Sequence, residues 1–175
     1  MPFAYRIYDQ QEIYFVTFTV RQWVDVFTRS EYIEILLENL RYCQQNKGLK
    51  IYSWVVMSNH CHLIVRTEGH KLSDVIRDFK KFTAKAIVNA IEENTKESRK
   101  RWLLWLLKKE EQVVFWKEGY HGVEISDQNI FDSKLTYIHL NPVRAGLVEK
   151  EEEYLWSSCA DLYGVRKGAL ELELI

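Results

Sequence analysis

The stretch "LKIYSWVVMSNHCHLIVR", residues 49–66, holds two runs of β-branched, aromatic and aliphatic residues on either side of Ser58 and Asn59. Such runs around a two-residue polar break read as a β-hairpin, with strands at 49–57 and 60–66. Side chains alternate along a strand, so His60 and His62 share one face and Cys61 points to the other as a small core residue.

Outward from the hairpin, "IYFVTFTV" (13–20) reads as a first strand. A helix follows from Ser30 as N-cap, with Ile33, Leu36, Leu37, Leu40 and either Cys43 or Gln44 on one face, and stops at "NKG" (46–48) with Gly48 at C′. Beyond the hairpin a second helix starts at Ser73. Its stripe comprises Val75, Ile76, Phe79, Phe82, Ala86, Ile87, Ala90 and Ile91. "TKESRKR" is a charged connection, and the segment from "WLLWLL" to "VVFWKEGY" has room for a helical turn and a short strand. A third helix starts near Ser126 or Asp127, and Pro142 is expected to end it. The tail "ALELELI" alternates like a strand. The order β-α-β-β-α predicts an α+β, ferredoxin-like split βαβ fold, with helices on one face of an antiparallel sheet.

The 175 residues suit a single domain, with a core at about 13–163 and a tail at 164–175. Three scattered cysteines form neither a disulfide frame nor a zinc knuckle, and no run is apolar enough to cross a membrane. A reduced, cytoplasmic protein is expected. The net charge of −1 argues mildly against a nucleic-acid partner. However, residues 77–101 hold eight Lys or Arg against four acids, a local excess of +4.

Two neutral imidazoles on one strand face suit a divalent metal, although alternating half-exposed polar positions would give the same spacing. The second stretch of interest is "LTYIHLNPVRAGLV" (135–148). On a helix, Tyr137 and Asn141 lie four residues apart and share a face, while His139 faces elsewhere. A phenol is a poor nucleophile unless a metal polarises the bond it attacks. A plain amphipathic core tyrosine is the competing reading.

Taken in order, "WVVMSNHCHLIV", "DFKKFTAKAI", "FWKEGYHGVEI", "LTYIHLNPVRAGLV" and "YLWSS" resemble the single-tyrosine HUH transposases. The nearest likeness is to the REP-associated tyrosine transposases and the small insertion-sequence transposases. The resemblance runs from about Tyr14 to Tyr163, with Cys61 replacing the usual bulky residue between the histidines. It implies the HUH strand at the centre of a ferredoxin-like sheet. It also implies His60 and His62 as ligands for Mg²⁺ or Mn²⁺, and Tyr137 as the nucleophile that becomes a 5′-phosphotyrosine. Asn141 takes the third-ligand position, where relatives often carry Gln. The implied partner is single-stranded or hairpin-bearing DNA, and a homodimer stays open, since the small insertion-sequence relatives build two-subunit active sites whereas the REP-associated ones need not.

Arg77, Lys80, Lys81 and Lys85 recur at helical spacing as candidates for tracking a DNA backbone, and Arg144 is a phosphate candidate by position. A solvated face is the alternative for the first four. Trp102, Trp105 and Trp116 offer either base stacking or core packing. Two other functional classes fit the same residues. One is a DNA-binding module without catalysis; the other is a nuclease using water.

Overall fold

The computed structural model describes residues 6–175. Its main sheet has four strands: β1 (Tyr14–Thr19), β2 (Leu49–Val56), β3 (His60–Thr67) and β6 (His121–Glu124). All pairings are antiparallel, in the spatial order β2-β3-β1-β6. Two-residue strands β4 (Lys108–Lys109) and β5 (Gln112–Val113) form a separate hairpin. The helices are α1 (Ser30–Asn46), α2 (Leu72–Glu93), α3 (Lys100–Leu107), α4 (Gln128–Arg144) and α5 (Cys159–Leu162).

With β6 as fourth strand, the main sheet reads 4-1-3-2, the ferredoxin-like order predicted from the hairpin. β3 lies inside the sheet between β1 and β2. The hairpin closes through Met57 N–H donating to His60 O at 2.8 Å, with Ser58 and Asn59 at the tip. α1 buries Ile33, Leu36, Leu37, Leu40 and Cys43, the face its spacing predicts. It ends at Gly48, whose φ of +61° suits glycine; a Cβ there would lie 2.0 Å from Glu68 O.

The alternation of the strands sorts their side chains between two cores. Val16, Phe18, Cys61, Leu63 and Val65 pack with α1 and α2 in the larger one. Phe15, Val55, Ile64, Phe131 and Ile138 belong to a smaller core beneath α4. So α1 and α2 share one face as expected, and α4 covers the other.

Two expectations are corrected. Pro142 does not end α4, which continues to Arg144. The proline sits in the last turn, where it removes one helical bond, and burial of its ring against the core offsets the loss. The chain then closes off with Ala145 N–H on Asn141 O at 3.0 Å and Leu147 N–H on Pro142 O at 2.9 Å. The tail forms no strand; it is pinned beside β2 by Glu173 N–H on Ile51 O at 2.8 Å, and Leu170 is buried.

Candidate active site

β3 presents His60 and His62 toward α4, with ring centroids 4.8 Å apart. Cys61 points into the opposite core, where burial pushes its thiol up to about 12 and so disfavours the thiolate a metal would need. Burial lowers the pKa of His60. It lowers His62 to about 3, helped by the charges of His60, Lys134 and His121. Both rings are therefore neutral near pH 7, the state that binds metal.

The outer contacts fix which nitrogens are available. Asn59 Nδ2 donates to Trp23 O at 3.3 Å and Asp25 Oδ1 at 3.2 Å, so its amide can face only one way. Its Oδ1 then accepts from His60 Nδ1 at 2.7 Å, which places the proton on Nδ1 and leaves Nε2 with a lone pair. Thr17, opposite His62 on β1, meets His62 Nδ1 at 2.7 Å. His62 Nε2 is buried with no hydrogen-bond partner, a costly position unless something binds there. These paired donors fit a divalent cation. Among the described residues no three His, Cys, Asp or Glu side chains form a metal cage. A cation here would therefore take its remaining ligands from an amide, water or substrate oxygen.

α4 brings Tyr137 to this spot. The helix starts at Asp127, whose side chain accepts from Ile130 N–H at 2.9 Å. Its buried face includes Phe131, Ile138 and His139. Beneath it a bulge at Tyr52 shifts the pairing of β2, and Ser53 meets α4 there. His139 Nε2 lies 3.3 Å from Ser53 Oγ and 3.1 Å from Ser158 Oγ, a buried polar cluster that sets the helix against the sheet. Tyr137 stays 39% exposed, its ring 5.2 Å from His62 and 5.9 Å from Phe15, both edge-on. Tyr137 is therefore not a fully buried core residue.

Two cations flank the phenol. The Arg144 guanidinium is 5.7 Å from the Tyr137 ring centroid, and Lys134 Nζ is 6.0 Å from it and 4.8 Å from that of Phe15. Neither forms an ion pair among the described residues. A phenol with two cations beside it lies where an anionic group could be neutralised. Asn141 lies one turn beyond Tyr137 on the same face, half-buried and without a hydrogen bond from its side chain.

The α2 cations lie elsewhere, since that helix packs on the other face. Arg77 is held by Asp74 at 2.8 Å and Asp78 at 3.0 Å. Those partners lie on α2 itself, whereas Lys80 ties the helix to the loop before β6, donating to Gly119 O at 2.5 Å and Lys117 O at 3.3 Å. Arg99, in the same basic stretch, surrounds buried Glu97. Lys81 and Lys85 are exposed and line an open groove of about 430 Å³ with Lys108. Trp102 and Trp105 are exposed on α3, and Trp116 is half-buried.

Sequence reading missed Lys134, although its place three residues before Tyr137 on a helix was a usable signal. Thr17 and Phe15 carried no signal, because their roles depend on the strand register.

A central strand of a ferredoxin-like sheet thus carries paired imidazoles beside the helix that holds Tyr137. The family described as "Transposase IS200 like" matches residues 10–141. The chain belongs to this family, and it is therefore a DNA-transferring enzyme by family. A solved REP-associated tyrosine transposase bound to a REP hairpin shares the fold, with a TM-score of 0.70 and 19% identity over 100% of this chain and 95% of that one. A chain from Deinococcus radiodurans R1 has a TM-score of 0.47 and 19% identity over 76% of this chain and 92% of its own. No curated protein matches the sequence. Among the described residues no helix is long and apolar enough to cross a membrane.

Proposed function

We propose that this transposase cuts and rejoins single-stranded DNA next to a hairpin, through a covalent bond between Tyr137 and a 5′-phosphate. The observation that carries this reading is the exposed Tyr137 ring 5.2 Å from His62, whose buried Nε2 has no partner. The solved relative bound to a REP hairpin supports a hairpin in the substrate.

In the cleavage step the Tyr137 oxygen bonds to phosphorus and the bond from phosphorus to the 3′-oxygen breaks. The phenol proton passes to solvent, and the departing oxygen takes up a proton to become a 3′-hydroxyl. Attack by another 3′-hydroxyl reverses the step and joins DNA without ATP, because the phosphotyrosine keeps the energy of the cut bond. Arg144 and Lys134 neutralise the scissile phosphate, while Phe15 and His62 hold the ring against the sheet. His60, His62 and Asn141 would hold Mg²⁺ or Mn²⁺, which supplies polarisation of the phosphodiester when bound. Tyr137 and His62 come from one chain, which supports a site assembled within a single subunit.

The test is incubation with a hairpin oligonucleotide bearing a 5′ overhang and Mn²⁺, read on a denaturing gel. A covalent protein–DNA band is expected, lost in Tyr137→Phe and in His60→Ala. An adduct that survives in Tyr137→Phe sinks the assignment. Metal-dependent fragments without an adduct indicate a water-using nuclease, and tight binding with neither product indicates a binding module.

A further inference from the structure

Beside the histidines, a short turn holds an unfavourable conformation. Gln22 (φ 54°) and Trp23 (φ 55°) both lie in the left-handed region, which residues with bulky side chains rarely adopt. Neighbouring chain holds them there. Val20 N–H donates to Asn59 O at 2.8 Å, and Arg21 N–H donates to Phe115 O at 2.8 Å. Asn59, which also orients His60, donates to Trp23 O at 3.3 Å.

Packing does not explain the strain. Trp23 is 57% exposed, so the turn presents a large apolar ring to water instead of burying it. Its ring centroid lies 6.1 Å from that of His60, and Lys117 Nζ is 5.9 Å from the indole. An aromatic face flanked by a cation is the element that unpaired bases stack on, with the cation meeting the adjoining phosphate. Strain retained next to reacting groups by an over-determined turn is characteristic of a binding device.

We propose that Trp23 is a stacking platform for the unpaired base next to the phosphate that Tyr137 attacks, with Lys117 neutralising the neighbouring phosphate. This subsite rests on the strand-transfer reading above. It gives the enzyme a sequence-tolerant grip on single-stranded DNA at the reacting position. A fully paired base cannot use it, so Trp23 biases the site toward unpaired substrate.

The test uses the full chain carrying Tyr137→Phe, so that no bond is broken during binding. The probe is the hairpin oligonucleotide with 2-aminopurine in its overhang, one position per oligonucleotide around the cleavage point. Trp23→Gly removes the ring where glycine accepts the backbone angle, and its melting temperature should equal or exceed that of the parent. Affinity should fall about tenfold in Trp23→Gly and little in Trp23→Phe. Quenching of 2-aminopurine at one position should disappear with the indole. An abasic site at that position should weaken the parent about tenfold and leave Trp23→Gly unaffected. Equal affinity of the parent for abasic and intact DNA overturns the subsite, as does parent-like binding by Trp23→Gly. The strand-transfer reading is judged separately, by the covalent band of the chain with Tyr137 intact. If that band is absent while abasic discrimination persists, the strand-transfer reading falls, and with it the place beside a reacting phosphate, while base stacking on Trp23 itself is upheld.

Discussion

On the α1–α2 side of the sheet, the inward residues of β3 are Cys61, Leu63 and Val65, all within one large apolar core. On the α4 side, the alternate residues of the same strand are His60, His62 and Ile64, and only the last joins an apolar cluster. The first face holds the chain together by removing apolar surface from water. The second gives up part of that stabilisation. It places neutral imidazoles, an unpartnered Nε2 and a buried Ser53–His139–Ser158 cluster where aliphatics would pack. One strand therefore packs core residues at its odd-numbered positions and sets two imidazoles, His60 and His62, on its other face. Substitutions on the two faces should separate accordingly.

The sharpest separation comes from Tyr137. Changing Tyr137→Phe removes only an exposed hydroxyl, so the melting temperature should stay within about 1 °C while adduct formation falls at least about 1,000-fold. Mixing His60→Ala chains with Tyr137→Phe chains tests whether the site belongs to one chain. Because His62 and Tyr137 meet within a single chain, the mixture should form no adduct. Recovery of activity on mixing would mean that two subunits exchange their tyrosine helices.

The opposite face should behave in the reverse way. Leu63→Ala leaves a cavity among α1, α2 and β1, and should cost about 2–5 kcal/mol of stability. Urea midpoints measure that loss. Adduct formation well below the melting temperature should persist, since Leu63 points away from the site. A loss of activity as large as that of Tyr137→Phe, in a chain shown to be folded, would break the distinction between the faces.

A pH series probes the polar face directly. Burial holds His139 at about 4, against about 6.5 when unfolded. Between those values the unfolded chain binds a proton that the folded chain refuses, so stability falls as pH drops from about 6.5 to 4. At pH 5 the loss from His139 is about 2 kcal/mol. Metal-free His62, held at about 3, adds a loss of the same sign. His60, also lowered by burial, acts in the same direction, and His139→Gln should remove the His139 share, narrowing the difference in urea midpoint between pH 7.5 and pH 5. An unchanged difference would show that His139 is protonated with little cost in the fold.

The distinction between faces is partly legible in the amino-acid sequence. Alternation alone puts His60 and His62 on one side and Cys61 on the other, because strand period is a local property. The hairpin is equally plain from its two apolar runs. β6 is not, since "HGVE" has a single branched apolar residue and takes its strand conformation from pairing with β1. Nor does the sequence tell which face α4 covers; its inward positions include His139 and Pro142, which blur the helical stripe. Arg77 and Lys80 read as DNA-facing by spacing, yet their charges are held by acids on α2 and by carbonyls of residues 117 and 119. Such partners, above all the distant loop, are not visible in helical periodicity. Trp23 escapes notice for a related reason, as its prominence comes from backbone angles that composition does not reveal.

The smallest expected effect concerns Lys134, and it refines the chemical face without breaking it. Its ammonium has no acidic partner among the described residues and lies beside the Phe15 and Tyr137 rings, 4.8 and 6.0 Å from their centroids. At about 6 Å and an effective dielectric between that of a protein surface and water, one charge stabilises a developing anion by about 1–3 kcal/mol. Lys134→Gln should therefore slow single-turnover adduct formation about tenfold. DNA affinity should change less, provided the charge acts mainly on the transition state. Lys134→Arg should restore most of the rate, and added salt should narrow the gap between wild type and Lys134→Gln only slightly, because screening is weak in a half-buried site. If Lys134→Gln loses DNA affinity and rate in equal measure at subsaturating DNA but reacts normally once saturated, Lys134 is a docking charge for the backbone. The neutralisation of the reacting phosphate would then fall to Arg144.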